Sequence, residues 1–278
     1  MHKIRRSYPL FASVLLIAYL GTVAPAAAFP PPAVAAFSAW DHGFDGPDAI
    51  PAGQTSIRLH NGGREPHQLQ LLKLDGGKSA ADLAAYLLEH DWAFPAWVRH
   101  RGGPNGVGSG GDAEATIYLE PGSYVLICMI PSGNRQPHAA LGMQRALHVT
   151  EQAPAPPDFH GNFHMAMLDY EFVVVQELRK GRHTFYVVNR GSEPHQVSLV
   201  RLDRDASAED VLAAFGRVPA SSLPGRLIGG MSGLEPGGEG VFTAELSPGR
   251  YAMICLFPNP ASRESHAAKG MVMNFTIE

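Results

Sequence analysis

Apolar and polar residues alternate along this chain in short runs that stop at Gly, Pro or Asn. Thr55-Ser-Ile-Arg-Leu-His ends at Asn61-Gly62-Gly63, and Gln68-Leu-Gln-Leu-Leu-Lys-Leu ends at Asp75-Gly76-Gly77. A period of two bounded by turn formers predicts β-strands with one buried face. Thr116-Ile-Tyr-Leu, the turn Pro121-Gly122 and Tyr124-Val-Leu-Ile-Cys128 predict a hairpin, and residues 146–150 a closing strand. The pattern then returns as Thr184-Phe-Tyr-Val-Val, Gln196-Val-Ser-Leu-Val-Arg-Leu, Phe242-Thr-Ala-Glu-Leu, Pro248-Gly249, Tyr251-Ala-Met-Ile-Cys255 and residues 272–277. One helical pattern interrupts each copy. Ser79-Ala-Ala-Asp82 and Ser207-Ala-Glu-Asp210 have capping-box spacing ahead of Leu83, Tyr86 and Leu87 or Val211, Ala214 and Phe215.

The return is an internal repeat. A shift of 128 puts Asp41 on Asp169, Phe44 on Phe172, His67 on His195, Ser79 on Ser207, His138 on His266 and Met143 on Met271, with a shift of 127 between Gly102 and Cys128. Short strands between Gly/Pro turns, repeated at a period too long for a solenoid, predict an all-β chain of two tandem β-sandwiches, each with a short helical insertion. The expected organisation is a signal peptide over 1–28, a first domain over 37–151, a Pro/Ala linker over 152–158 and a second domain over 159–278. The Pro/Ala stretch from Phe29 to Ala36 reads as a flexible lead. The segments Gly102-Gly-Pro-Asn-Gly106 and Gly229-Gly-Met-Ser-Gly233 lack the Gly-Lys-Ser/Thr ending of a phosphate loop.

Composition narrows the setting. The 278 residues are 45% hydrophobic and 17% charged, which is globular rather than disordered. His2, Lys3, Arg5 and Arg6 precede an apolar run from Pro9 to about Val23 and then Ala26-Ala27-Ala28, the pattern of a cleaved secretory signal. The run is short of the roughly 20 residues of a membrane span. Cleavage after Ala28 leaves 19 basic against 26 acidic residues, a net charge of −7. Such a surface does not seek nucleic acid. The expectation is a periplasmic or secreted protein with no stable membrane anchor after cleavage. In that setting the only two cysteines, Cys128 and Cys255, must first be weighed as a disulfide. Their equivalent positions in two copies argue against one, since a bridge would bring two buried strand ends within about 7 Å.

Each cysteine instead heads a set of softer metal donors. Cys128, His138 and Met143 recur as Cys255, His266 and Met271, and each set is matched upstream by Glu-Pro-His, ending at His67 and His195. Two neutral imidazoles, a thiolate and a weak axial thioether hold both Cu(I) and Cu(II), so His67, Cys128, His138 and Met143 form one candidate copper site and His195, Cys255, His266 and Met271 a second. His160 and His164 lie at the linker and a strand start, where a solvated role is expected. His42, His60, His90, His100, His148 and His183 have no partner in the sequence.

The motifs Asn61-Gly-Gly-Arg-Glu-Pro-His67 and Asn189-Arg-Gly-Ser-Glu-Pro-His195, then Pro-Gly-x-Tyr-x-x-x-Cys, then His-Ala-Ala-x-Gly-Met, resemble those of plastocyanin and the related bacterial cupredoxins. The resemblance covers nearly the whole mature chain, once per repeat. It implies Greek-key β-sandwiches with type 1 copper near one end, up to two coppers per chain, and electron transfer with a redox partner such as a cytochrome. It also implies that the backbone amide of Gln68 or Gln196 bonds the cysteine sulfur. Two features depart from the family: nine and ten residues separate cysteine from histidine, and the helical insertion is atypical.

Three function classes follow. The first is a one-electron carrier with a mononuclear type 1 copper in each domain. The second is a non-redox copper-binding or chaperone module, or a metal-free interaction domain. The third is a two-domain copper oxidase or nitrite reductase. Those enzymes pass electrons through a histidine beside the cysteine, whereas Ile127 and Met129, and Ile254 and Leu256, flank the cysteines here. The carrier, rather than an enzyme, is therefore the expectation.

Overall fold

The strands of the first repeat follow its alternation: β1 Ala33–Trp40, β2 Gly43–Asp45, β3 Ala49–Pro51, β4 Gly53–Asn61 and β5 Gln70–Leu74, then helix α1 Ala80–Glu89, then β6 Val98–His100, β7 Asp112–Leu119, β8 Gly122–Ile127 and β9 Gln144–Thr150. The second repeat has β10 Phe163–Leu168, β11 Glu171–Val174, β12 Gly181–Asn189, β13 His195–Leu202, helix α2 Ala208–Ala214, β14 Gly225–Leu234, β15 Glu239–Leu246, β16 Gly249–Ile254 and β17 Val272–Ile277. This computed structural model describes residues 31–151, 156–218, 222–259 and 261–278. The expected signal peptide lies outside the described residues, as do residues 152–155 of the linker. No helix of the described residues is long and apolar enough to cross a membrane.

In each repeat the chain passes back and forth between two sheets, giving a Greek-key β-sandwich. One inner sheet of the first repeat is β3-β9-β8-β5-β6, and its counterpart in the second is β14-β13-β16-β17. The other layer is shared. A single eight-stranded sheet runs β11-β10-β12-β15-β7-β4-β1-β2, with β7 and β15 joined antiparallel through Ala115, Thr116 and Ile117. The main core is continuous across both repeats, from Phe37 and Ile57 to Phe185 and Phe242. Both helices carry the expected capping box, the Ser79 hydroxyl accepting from the Asp82 amide and the Ser207 hydroxyl from the Asp210 amide. Helix α1 buries Leu83 and Leu87 with Leu72, Val125 and Ile127 on the outer face of the five-stranded sheet, a second small core.

Two expectations change here. Residues 33–36 are not a flexible lead, because they pair in parallel with β4 and the alternation continues through buried Ala35, Phe37 and Ala39. The Gly-rich segments, given no role by the sequence, join the repeats. Gly102 donates to Gly233 at 2.8 Å, Ser232 to Gly103 at 2.9 Å, Asn105 to Gly230 at 3.2 Å and Gly229 to Gly106 at 2.8 Å. Each bond has its mirror partner under the repeat shift, so the two halves pack about a pseudo-two-fold axis near Pro104 and Met231, which pair with one another. Glycine is required there: Gly103 and Gly230 have φ of +124° and +122°, and a Cβ on either would collide with a carbonyl, of Leu69 or of Val197.

Candidate metal centres

His67 reaches its place through the loop after β4. The buried Asn61 side chain donates to the carbonyls of Glu65 and Val107, both at 2.8 Å, and its oxygen accepts from Gly63 at 2.9 Å. Asn189 does the same for Glu193, Leu234 and Gly191. The asparagine therefore fixes both the glutamate and the histidine of its motif. Gly63 is small for a reason: a Cβ there would lie 2.6 Å from His67 Nε2 and 2.5 Å from Asp41 Oδ1.

The other three ligands come from one connection. Cys128 follows β8 directly, and the long excursion to His138 folds back on itself as a small hairpin. Ser132 donates to Gln136 at 2.8 Å, Pro131 pairs with Pro137, and His138 donates to Ile130 at 3.0 Å. In the second repeat Asn259 donates to Glu264 at 2.8 Å, Pro258 pairs with Ser265, and His266 donates to Phe257 at 2.8 Å. The extra residues thus form a hairpin that returns each histidine beside its cysteine, His138 Nδ1 at 3.6 Å from Cys128 Sγ and His266 Nδ1 at 3.5 Å from Cys255 Sγ. A 3-10 turn, His138–Leu141 or His266–Lys269, then closes at Gly142 or Gly270 with φ of +104° or +107°. It returns the chain so that the Met143 amide bonds the His138 carbonyl at 3.0 Å and the Cys128 amide the Met143 carbonyl at 3.2 Å. Met271 repeats both contacts.

All eight residues are buried, and the donor atoms of each His-Cys-His group lie within 4.8 Å of one another. His67 Nδ1 is 3.1 Å from His138 Nδ1, which is 3.6 Å from Cys128 Sγ. In the second group His195 Nδ1 is 2.8 Å from His266 Nδ1, and Cys255 Sγ is 3.5 Å from His266 Nδ1 and 3.9 Å from His195 Nδ1. Both cysteines are free thiols, so there is no disulfide. The amide of Gln68 points at Cys128 Sγ at 3.5 Å, and that of Gln196 at Cys255 Sγ at 3.4 Å.

Four carboxylates escaped the sequence reading. His67 Nε2 lies 3.2 Å from Asp41 Oδ1 and His138 Nε2 2.7 Å from Glu65 Oε2. His195 Nε2 lies 2.6 Å from Asp169 Oδ1. His266 Nε2 is 2.9 Å from Glu193 Oε2 but poorly aligned for a hydrogen bond, and Glu193 also accepts from Asn259 at 2.8 Å and from Tyr170 at 3.2 Å. Part of the signal was present, since Asp41 and Asp169 coincide under the repeat and each glutamate sits in the Glu-Pro-His motif, although it meets the distant His138 or His266 and not the histidine two residues on.

This shell defines what the sites can bind. A carboxylate on Nε2 selects the tautomer with its proton there, which turns the Nδ1 lone pairs of both histidines inward. Two lone pairs facing one another at about 3 Å beside a sulfur are unfavourable until a cation lies between them. Burial pushes the His67 pKa down to about 4 despite Asp41, and lowers those of His138 and His266. Burial raises both thiols to about 12, although the amides of Gln68 and Gln196 work the other way. For Asp169, burial is outweighed by hydrogen bonds from Ser192 and His195, which hold it at about 2. His67, His138 and His266 are therefore neutral donors, and the sulfur becomes a thiolate when a metal replaces its proton. Bonds of about 2.0 Å to nitrogen and 2.3 Å to sulfur separate the donors of a trigonal ion by roughly 3.5–3.7 Å. The sulfur–nitrogen distances already span that value, and the nitrogens, at 3.1 and 2.8 Å, need to part by roughly 0.4 Å in the first group and 0.7 Å in the second. The residues fit the two nitrogens and one sulfur of a type 1 copper centre, with buried Met143 and Met271 beside them.

His160 and His164 are exposed and belong to neither site. His42 stands near the first site, its ring 6.3 Å from that of His138, where the second repeat has Tyr170, 4.9 Å from His266.

No protein-family model matches the chain, and no curated protein matches it in sequence. Among solved structures it is similar to reduced auracyanin from Roseiflexus castenholzii, at 18% identity over 43% of this chain and 97% of that one, with a TM-score of 0.31. Auracyanin A, a blue copper protein from Chloroflexus aurantiacus, is 22% identical over 43% of this chain and 99% of its own, also at 0.31. The copper-containing nitrite reductase from Thermus scotoductus SA-01 is 10% identical over 88% of this chain and 61% of that one, at 0.24.

Proposed function

We propose that this protein is an exported one-electron carrier with a mononuclear type 1 copper in each repeat. The observation that carries the reading is the duplicated, buried His-Cys-His group with inward-facing Nδ1 atoms and a backbone N–H on each sulfur. When bound, copper would supply reversible one-electron chemistry between Cu(I) and Cu(II). The chain's own part is to hold His67, Cys128, His138 and Met143, and their counterparts His195, Cys255, His266 and Met271, in one arrangement for both oxidation states. The 3-10 turns and the hairpins before them brace three of the four ligands from both sides. The carboxylates fix the ring orientations, and burial of all the donors excludes water. No histidine flanks either cysteine, so the short through-bond route to a second copper of an oxidase or nitrite reductase is missing. The redox partner belongs to the same proposal, with a small acidic-accepting cytochrome as the expected class.

Loading the purified protein with Cu(II) tests this. An intense visible thiolate-to-copper band and a narrow copper hyperfine splitting in the electron paramagnetic resonance spectrum are expected. A colourless protein with the spectrum of amide- or imidazole-bound copper would sink the type 1 reading.

A further inference from the structure

Between the two metal loops lies a cavity of about 820 Å³, the size of site that holds a small organic molecule. It belongs to neither centre. Residues from both repeats line it in equivalent pairs: Gln68 with Gln196, and Met129 with Leu256, the residues immediately after the two cysteines. Those two pairs share the pseudo-two-fold relation that joins the halves, while the stretch from Asp91 to Ala96 comes from the first repeat alone.

Its walls say what it would take. Trp92, Phe94, Phe215 and Phe257 present flat apolar surface from three separate places in the chain. Into this surface project two amides. Gln68 and Gln196 are 6% and 7% exposed. Among the described residues the Gln68 side chain has no hydrogen-bond partner, and Gln196 uses only its nitrogen, on Ser198 at 3.3 Å. A nearly buried amide without a partner is costly unless something polar meets it from the open side. The acidic and basic residues on the lining, Asp91, Arg99, Arg135, Glu235 and Arg263, are all at least partly exposed, and Arg263 is already held by the Asp91 carbonyl at 2.6 Å. His100, between the rings of Phe94 and Phe257, is kept neutral by burial. The interior therefore offers aromatic faces and no buried charge, and of its amides Gln70, Asn105 and Asn259 are already engaged within the protein, which leaves Gln68 and Gln196.

We propose that this cavity is a binding site for an uncharged flat ring system bearing an oxygen at each of two opposite ends, the aromatic-diol and quinone class. The rings sandwich the apolar middle, and Gln68 and Gln196 each hydrogen-bond one oxygen. A ligand with polar ends related by a two-fold matches a cavity whose amides are related in the same way. The assignment rests on the fold and the side chains alone and holds with or without metal.

The test uses isothermal titration calorimetry on the full metal-free chain with 2,6-dihydroxynaphthalene and with 2-naphthol, which lacks one oxygen. Saturable one-to-one binding of the diol is expected, with 2-naphthol weaker by about fivefold or more, the worth of one neutral hydrogen bond. Gln68→Leu and Gln196→Leu should each erase the diol's advantage while circular dichroism stays native. The wild-type comparison needs no variant, so it decides the matter even if a substitution misfolds. Absence of saturable binding, or equal affinities for the two probes, overturns the proposal. Copper uptake in the same samples reports separately on the metal centres, so the two readings fail independently.

Discussion

The Nε2 of His138 donates to Glu65 Oε2 at 2.7 Å, so this imidazole meets a carboxylate on one side and the metal donors on the other. A negative charge on the outer nitrogen makes the inner nitrogen a stronger donor and favours the more positive metal ion. Glu65→Gln keeps the shape and an accepting oxygen but removes the charge. The expected outcome is a fall in Cu(II) affinity of about tenfold or more, with a reduction potential that rises. Competition titration and potentiometry on Cys255→Ser protein, which isolates the first site, measure both. An unchanged affinity and potential would show the carboxylate to be only structural.

The sites are equivalent enough to count. Each has a buried His-Cys-His group and its own carboxylates, so copper analysis should give about two ions per chain and about one after Cys128→Ser or Cys255→Ser. Stoichiometry that does not change in one variant removes that site. The two need not be alike in potential. Glu193 shares its charge with Asn259 and Tyr170, whereas among the described residues the Glu65 carboxylate has only His138.

Much of this was legible in the sequence because the repeat supplies its own control. Alternation placed the strands, Ser79 and Ser207 placed the helices, and the paired Cys and His positions gave two His-Cys-His groups that the fold brings together. Three features were less accessible. The hairpin from Pro131 to Pro137 returns His138 beside Cys128, which depends on backbone pairing that spacing does not reveal. Asp41 lies 26 residues from His67 and meets it only because β1 and β4 pair in parallel. The Gly-rich segments carry no local pattern, and their role depends on the other half of the chain.

Acid should weaken the metal-free protein, and His100 is one cause. Burial lowers its pKa to about 3 from an ordinary 6.5, and among the described residues its Nδ1 has no partner. Between those values the unfolded chain binds a proton that the folded chain refuses. The stabilisation is therefore complete above about pH 6.5 and declines as pH falls, at roughly 1.4 kcal/mol per pH unit from this residue. His67, lowered to about 4, acts with the same sign. In His100→Phe the loss of urea-unfolding stability from pH 6.5 to 4.5 should shrink by about 2 kcal/mol. The slope is the readout, since the larger ring alters absolute stability as well. An identical slope would mean that His100 is protonated in the fold.

Joining the repeats through glycine gives the last prediction. At Gly103 and Gly230 two conditions coincide, a positive φ and a carbonyl oxygen where Cβ would stand, while Gly76 has φ of +67° with nothing within 4 Å of the same position. Gly76→Ala should cost about 1–2 kcal/mol, the strain of a left-handed alanine. Gly103→Ala and Gly230→Ala add a backbone collision that separates the segments paired across the pseudo-two-fold, and each should cost about 3 kcal/mol or more. Because β7 and β15 lie side by side in one sheet, the loss should be felt by both repeats as a single urea transition followed through tryptophan fluorescence and circular dichroism. Equal costs for all three substitutions would reduce the glycines to turn residues. Two separate transitions in the wild type would show that the halves fold independently despite the shared sheet.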